Sequence, residues 1–93
     1  MNKEYIIDLA GVVSRKELHA SIEAALPLPE WYGRNLDALY DVLTEPRFGD
    51  NCRIYFVHCA SFKESMPRYY AAMQQMCRAA TDANQGLMIE FAE

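Results

Sequence analysis

Asp37 and Asp41 stand four residues apart in the run Asn35-Leu36-Asp37-Ala38-Leu39-Tyr40-Asp41-Val42-Leu43-Thr44. In a helix this spacing places both carboxylates on one face, with Cβ atoms roughly 5–6 Å apart and a repulsion of about 0.2–0.5 kcal/mol. A helix needed only for packing gains nothing from that repulsion, so the pair points to a basic partner. Asp37 also has a structural role available to it. It falls in the first turn of the helix, where the macrodipole stabilises a carboxylate by about 0.3–1 kcal/mol. Asp41 lies a turn further on, beyond that benefit, and is the stronger candidate for recognition. Tyr40, between them, offers a wide amphipathic ring of the kind enriched at protein interfaces.

Other chemistry for these carboxylates is poorly supported. An acid and a base need environments that separate their pKa values, whereas neighbours on one exposed face share an environment. No convergent His, Ser or Lys, no Gly-rich phosphate loop and no metal-ligand spacing accompanies them, and two carboxylates are too few for a hard cation. The expectation is a binding protein rather than an enzyme, with no catalytic residue, no metal and no cofactor. The three cysteines, Cys52, Cys59 and Cys77, are odd in number and lack CxxC spacing. They read as reduced, buried thiols. His58 and Cys59 are adjacent near a strand end, where successive side chains point to opposite faces, so they do not form a thiol–imidazole pair.

The elements that must hold this face follow in chain order. Tyr5–Leu9 reads as a strand ended by Gly11. Ser14-Arg15-Lys16-Glu17 has the form of a capping box, and Leu18, Ile22, Ala25 and Leu26 continue at helical spacing, predicting a first helix over 15–26. His19 lies off that stripe and is expected to be solvated. Pro27 and Pro29 end the helix, since a residue before proline leaves the α region. A loop to Arg34 follows. One of the adjacent aromatics Trp31 and Tyr32 is expected in the core, and Gly33 at a positive-φ turn. Asn35 is the N-cap of the acidic helix, over 35–44. Its inner face carries Leu36, Leu39 and Leu43, and Glu45-Pro46 stops it ahead of a turn over 47–51.

Cys52–His58 is a strand whose consecutive apolar residues predict burial on both faces. A short helical turn over 61–66 precedes a long helix opened by Pro67, with Tyr69, Met73, Met76 and Ala80 as its core stripe. Leu87–Phe91 is a last strand. Helices between successive strands favour right-handed parallel crossovers. The expected fold is a small α/β domain over residues 1–93, a three-stranded parallel sheet packed with about four helices. The leucines of the acidic helix face inward and its acids face solvent.

Charge narrows the partner. The chain has 13 acidic and 9 basic residues, a net −4. Leu28–Asp50 alone holds Glu30, Asp37, Asp41, Glu45 and Asp50 against Arg34 and Arg47. Direct nucleic-acid binding is disfavoured, because neutralising phosphates takes a basic patch. Apolar runs fall far short of the roughly 20 residues of a membrane helix, and the N-terminus is too short and acidic for a signal peptide. A cytoplasmic location without membrane association is expected.

The stretch LPEWYGRNLDALYDVLT, Leu28–Thr44, resembles the signature of the barstar family, cytoplasmic inhibitors of barnase-type bacterial ribonucleases. The resemblance is close there and looser elsewhere. It implies that the acidic helix and its preceding loop enter the cationic active site of a basic secreted ribonuclease, or of a toxin's ribonuclease domain. Carboxylates would then stand in for RNA phosphates. Asp41 matches the principal anchor and Asp37 the second, with Trp31 at the place of an interfacial tyrosine. Gly33, Asn35 and Leu36 match contacting positions. The family also implies a monomer when free and a 1:1 complex with the target, in self-protection or toxin immunity. The chain departs from the pattern at four places. Tyr40 stands for a tryptophan, Arg34 for an acid, Glu45-Pro46 for a glycine–tryptophan pair, and Ala79 for a further acid on the long helix. Arg34 should oppose a cationic partner unless it pairs with Asp37 or with an acid on the enzyme. The alternative reading is a non-inhibitory regulatory module that binds another basic protein.

Overall fold

The computed structural model describes residues 3–49 and 51–93. Strands β1 (Lys3–Asp8), β2 (Cys52–Val57) and β3 (Leu87–Phe91) form one parallel sheet in the order β1-β2-β3. Its register aligns Tyr5, Ile54 and Ile89, and two residues on, Ile7, Phe56 and Phe91. Parallel neighbours need long crossovers, and helices supply them. α1 (Arg15–Ala25), α2 (Leu36–Leu43) and α3 (Pro46–Gly49) lie between β1 and β2, and α4 (Ala60–Ser65) and α5 (Pro67–Ala83) between β2 and β3. This is the expected α/β class. The four-residue α3 replaces part of the turn predicted over 47–51, because Pro46 both ends α2 and suits the first position of a new helix. Asp50 and the side chain of Arg47, counted above among the charges of this segment, lie outside the described residues. Among the described residues no helix is long and apolar enough to cross a membrane.

The helices cover one face of the sheet. α1 packs on β1, α5 on β3, and α2 rests chiefly on α5. Ile7, Ile54, Phe56 and Leu87 are buried on the covered face, whereas Ile6 and Met88 on the other face are 65% and 50% exposed. β2 therefore alternates instead of being buried on both sides: Cys52, Ile54 and Phe56 are inside, and Tyr55 and Val57 are half-buried between neighbouring strands. The run of apolar types misled the expectation because it cannot show that only one face receives helices. The long helix is also rotated from its predicted stripe. Tyr70, Met73, Cys77 and Ala80 are buried, while Tyr69 and Met76 are half-buried at the flank. α5 must serve both β3 and α2, so its buried surface is broad. All three cysteines are free and buried, and burial pushes the Cys77 thiol up to about 12.

Candidate partner-binding face

α2 is fixed from three directions. Asn35, in extended conformation, accepts a hydrogen bond from the Ala38 N–H at 2.7 Å, and its own amide donates to the Gly33 carbonyl at 3.2 Å. Leu39, Val42 and Leu43 are buried beneath the helix. At its far end the Asn84 amide, at the close of α5, donates to the Leu43 carbonyl at 3.3 Å. Val42 thus takes the place expected for Leu36, which is half-buried at the edge of the stripe. On the opposite face Asp37 and Asp41 are exposed, and among the described residues neither side chain meets a cation. Two uncompensated carboxylates therefore stand on a helix whose other face is locked into the core. Tyr40 is half-buried and packs against that core, so it offers only part of its ring.

The loop before α2 divides its aromatics. Tyr32 is buried, and Trp31 is 68% exposed. The positive φ expected at Gly33 belongs instead to Arg34, at +54°. Glycine serves at position 33 through proximity, because a Cβ there would lie 3.3 Å from the Asn35 Nδ2 and 3.4 Å from the Ala38 Cβ. The Arg34 guanidinium pairs with Glu23 on α1, not with Asp37, and this partner raises its pKa. Its charge is thus met within the chain before any partner arrives.

His19 corrects the expectation of a solvated residue. It is buried, its Nδ1 lies 2.8 Å from the Tyr32 hydroxyl and its Nε2 2.8 Å from the Tyr69 hydroxyl. A neutral imidazole has one N–H and one lone pair, so one tyrosine accepts from it and the other donates to it. Burial depresses the His19 pKa against the attraction of Glu23, with Arg15 adding to the depression, and burial raises the Tyr32 and Tyr69 hydroxyls. The bridge joins α1, the loop and α5. A signal for it was present in the sequence: His19, Ile22 and Leu26 also fall at i, i+3 and i+7.

The predicted residues form three neighbourhoods. Arg34, Asn35, Leu36 and Asp37 border a groove of about 540 Å³ against α1. Gly33 and Arg34 border a smaller recess with Tyr32 and Glu30. Trp31 and the exposed Glu45 share a separate cleft of about 360 Å³, with Val42 and Phe48. Asp41 and Tyr40 line none of these and stand on the ridge of α2. Ala79 is exposed on α5. Elsewhere His58 is exposed with its Nδ1 2.9 Å from Asp8 Oδ1, while the neighbouring Cys59 is buried with its Sγ 3.5 Å from the Phe56 carbonyl. The two do not act together. Among the described residues no group of three or more His, Cys, Asp or Glu side chains could hold a metal ion.

Comparison with known proteins agrees with this arrangement. A Bacillus subtilis (strain 168) protein named "Putative ribonuclease inhibitor YrdF" is 43% identical over 42 residues. That match takes in 45% of this chain and 46% of the relative. The family model described as "Barstar (barnase inhibitor)" matches residues 2–92. Since that match leaves out only the first and last residues of a chain with a parallel sheet and an outward-facing acidic helix, this chain belongs to the barstar family.

Proposed function

We propose that this protein inhibits a basic bacterial ribonuclease of the barnase type by seating the acidic face of α2, with its preceding loop, in the enzyme's cationic active site. The observation that carries the reading is the exposed Asp37–Asp41 pair on a helix anchored by buried leucines. Family membership supplies the class of target. Asp41 is the principal anchor and Asp37 the second. Trp31, Gly33, Asn35, Leu36, Tyr40 and Glu45 complete the contact, and Arg34 borders it. The protein acts by occlusion, as a 1:1 complex in the cytoplasm, and itself catalyses nothing. Because the helix is already formed and capped and, among the described residues, its carboxylates meet no cation, binding requires little reorganisation, and opposite charge steers the encounter.

The test is titration of the protein into a barnase-type ribonuclease, with RNA cleavage followed at low and moderate salt. Stoichiometric inhibition that weakens with salt and is lost in Asp41→Ala is expected. Absence of inhibition, together with no binding by calorimetry, would favour the regulatory-module reading, and a pull-down from the native cell would then identify the basic partner.

A further inference from the structure

The groove between α1 and the start of α2 runs against the charge of the rest of the molecule. Arg15, Lys16 and Arg34 line it against Glu23 and Asp37, leaving it one positive charge in excess in a chain whose net charge is −4. Arg34 is met by Glu23. Arg15 and Lys16 have no carboxylate partner among the described residues. The Arg15 guanidinium lies 5.6 Å from the centroid of the Tyr69 ring, a cation–π placement that orients the group while leaving its N–H edge able to grip a carboxylate. The floor is part of the buried bridge, since His19 and Tyr69 line the same groove. The recess is therefore preformed.

These cations adjoin the acidic face directly, because Asp37 borders the same groove. A surface that had only to meet a cationic enzyme would lose affinity by carrying them there, because like charges set against each other at an interface weaken binding. The conflict disappears if the partner presents negative charge at this one place. We propose that the groove receives an acidic side chain of the bound ribonuclease, held by Arg15 and Lys16, at the margin of the cationic centre that α2 occludes. The proposal rests on the reading of α2 as the inhibitory element. It makes the recognition face bipolar, with an acidic ridge and a basic groove, and assigns to the groove the choice among related ribonucleases.

The experiment uses full-length protein against a barnase-type ribonuclease, with inhibition constants from RNA cleavage. Wild type is compared with Arg15→Glu/Lys16→Glu, and with the neutral Arg15→Gln/Lys16→Gln. All four substitutions fall at exposed positions, and thermal melts check that the fold is kept. Long-range attraction to a basic enzyme alone requires the charge-reversed protein to bind more tightly. Contact with an acid requires the opposite: about tenfold weaker inhibition by the charge-reversed protein and an intermediate loss for the neutral one. Replacing in turn each acid that borders the ribonuclease active site by Lys, with affinity read by calorimetry so that a catalytically dead variant still reports, should then restore tight binding of the charge-reversed protein at one position. Unchanged or tighter inhibition, or a loss that no such replacement restores, overturns the groove's role while leaving Asp41-dependent inhibition standing. A wild-type protein that inhibits no better than Asp41→Ala overturns the reading of α2, and the groove proposal with it.

Discussion

Asp37 and Asp41 share a face but differ in what else they do, and substitution should separate the two roles. Asp37 lies in the first turn of α2, where its carboxylate also favours the helix N-terminus. Asp37→Ala should therefore cost at most a few tenths of a kcal/mol of stability, because relief of its repulsion from Asp41 offsets part of the lost dipole interaction, alongside a moderate loss of binding. Asp41 has no such second function. Asp41→Ala, which relieves the repulsion, should leave the urea midpoint unchanged or stability a few tenths of a kcal/mol higher and weaken binding by roughly 2–5 kcal/mol, as truncating one partner of a desolvated charge pair does. Parallel denaturation and calorimetry check both, and equal unfolding of the two variants without a binding defect would make the face structural. The carboxylates were legible because i, i+4 spacing depends only on local geometry. The fate of Arg34 was not. Its partner lies eleven residues earlier on another helix, and nothing local chooses Glu23 over Asp37. Nor does the presence of glycine at 33 reveal that the left-handed residue is the arginine after it.

At the scale of the element, α2 depends on its beginning. The Asn35 side chain satisfies the Ala38 N–H and reaches back to the Gly33 carbonyl, so the cap joins helix and loop. Asn35→Ala should lower stability by about 1 kcal/mol and weaken inhibition as well, since fraying would begin at the turn that carries Asp37. Asn35→Asp keeps an acceptor at the cap and should keep most of the stability. Chemical denaturation of the three proteins decides it: an alanine variant as stable as wild type would exclude the cap as the source of order. Caps also explain why helix limits were readable. Ser14 accepts from the Glu17 N–H at 3.2 Å, and its hydroxyl donates to the Glu17 carboxylate at 2.9 Å, which is the predicted start of α1. What local pattern could not supply was each element's neighbours. The exposed side of the sheet and the rotation of α5 depend on where helices settle, and residue types alone do not record that.

Across the fold, the buried imidazole of His19 should make the contact between the loop before α2 and the scaffold depend on pH. Its two nitrogens hold Tyr32 of the loop and Tyr69 of α5. Burial lowers its pKa in the fold below the ordinary histidine value of about 6.5. Of the charged groups around it, Glu23 favours the proton while Arg15 opposes it. Lys16, Arg34 and Asp37 also line the adjoining groove. With the folded pKa depressed, the unfolded chain binds the proton more readily, so stability must rise with pH between the two values. The contribution is therefore complete above about pH 6.5 and is lost as pH falls towards the folded pKa. Asp8 acts in the same sense but over a separate window below about pH 4, because the Ala10 N–H and His58 lower its pKa. His19→Gln removes the titration while its amide can still donate to one tyrosine and accept from the other. Melting temperatures measured from pH 8 to pH 5 should fall more steeply for wild type than for His19→Gln. Inhibition by wild type should weaken over the same interval, because a charged imidazole offers two donors and no acceptor, and the tyrosine that had donated to it must turn. Parallel melting curves for the two proteins would show that the bridge does not carry the pH dependence of the fold.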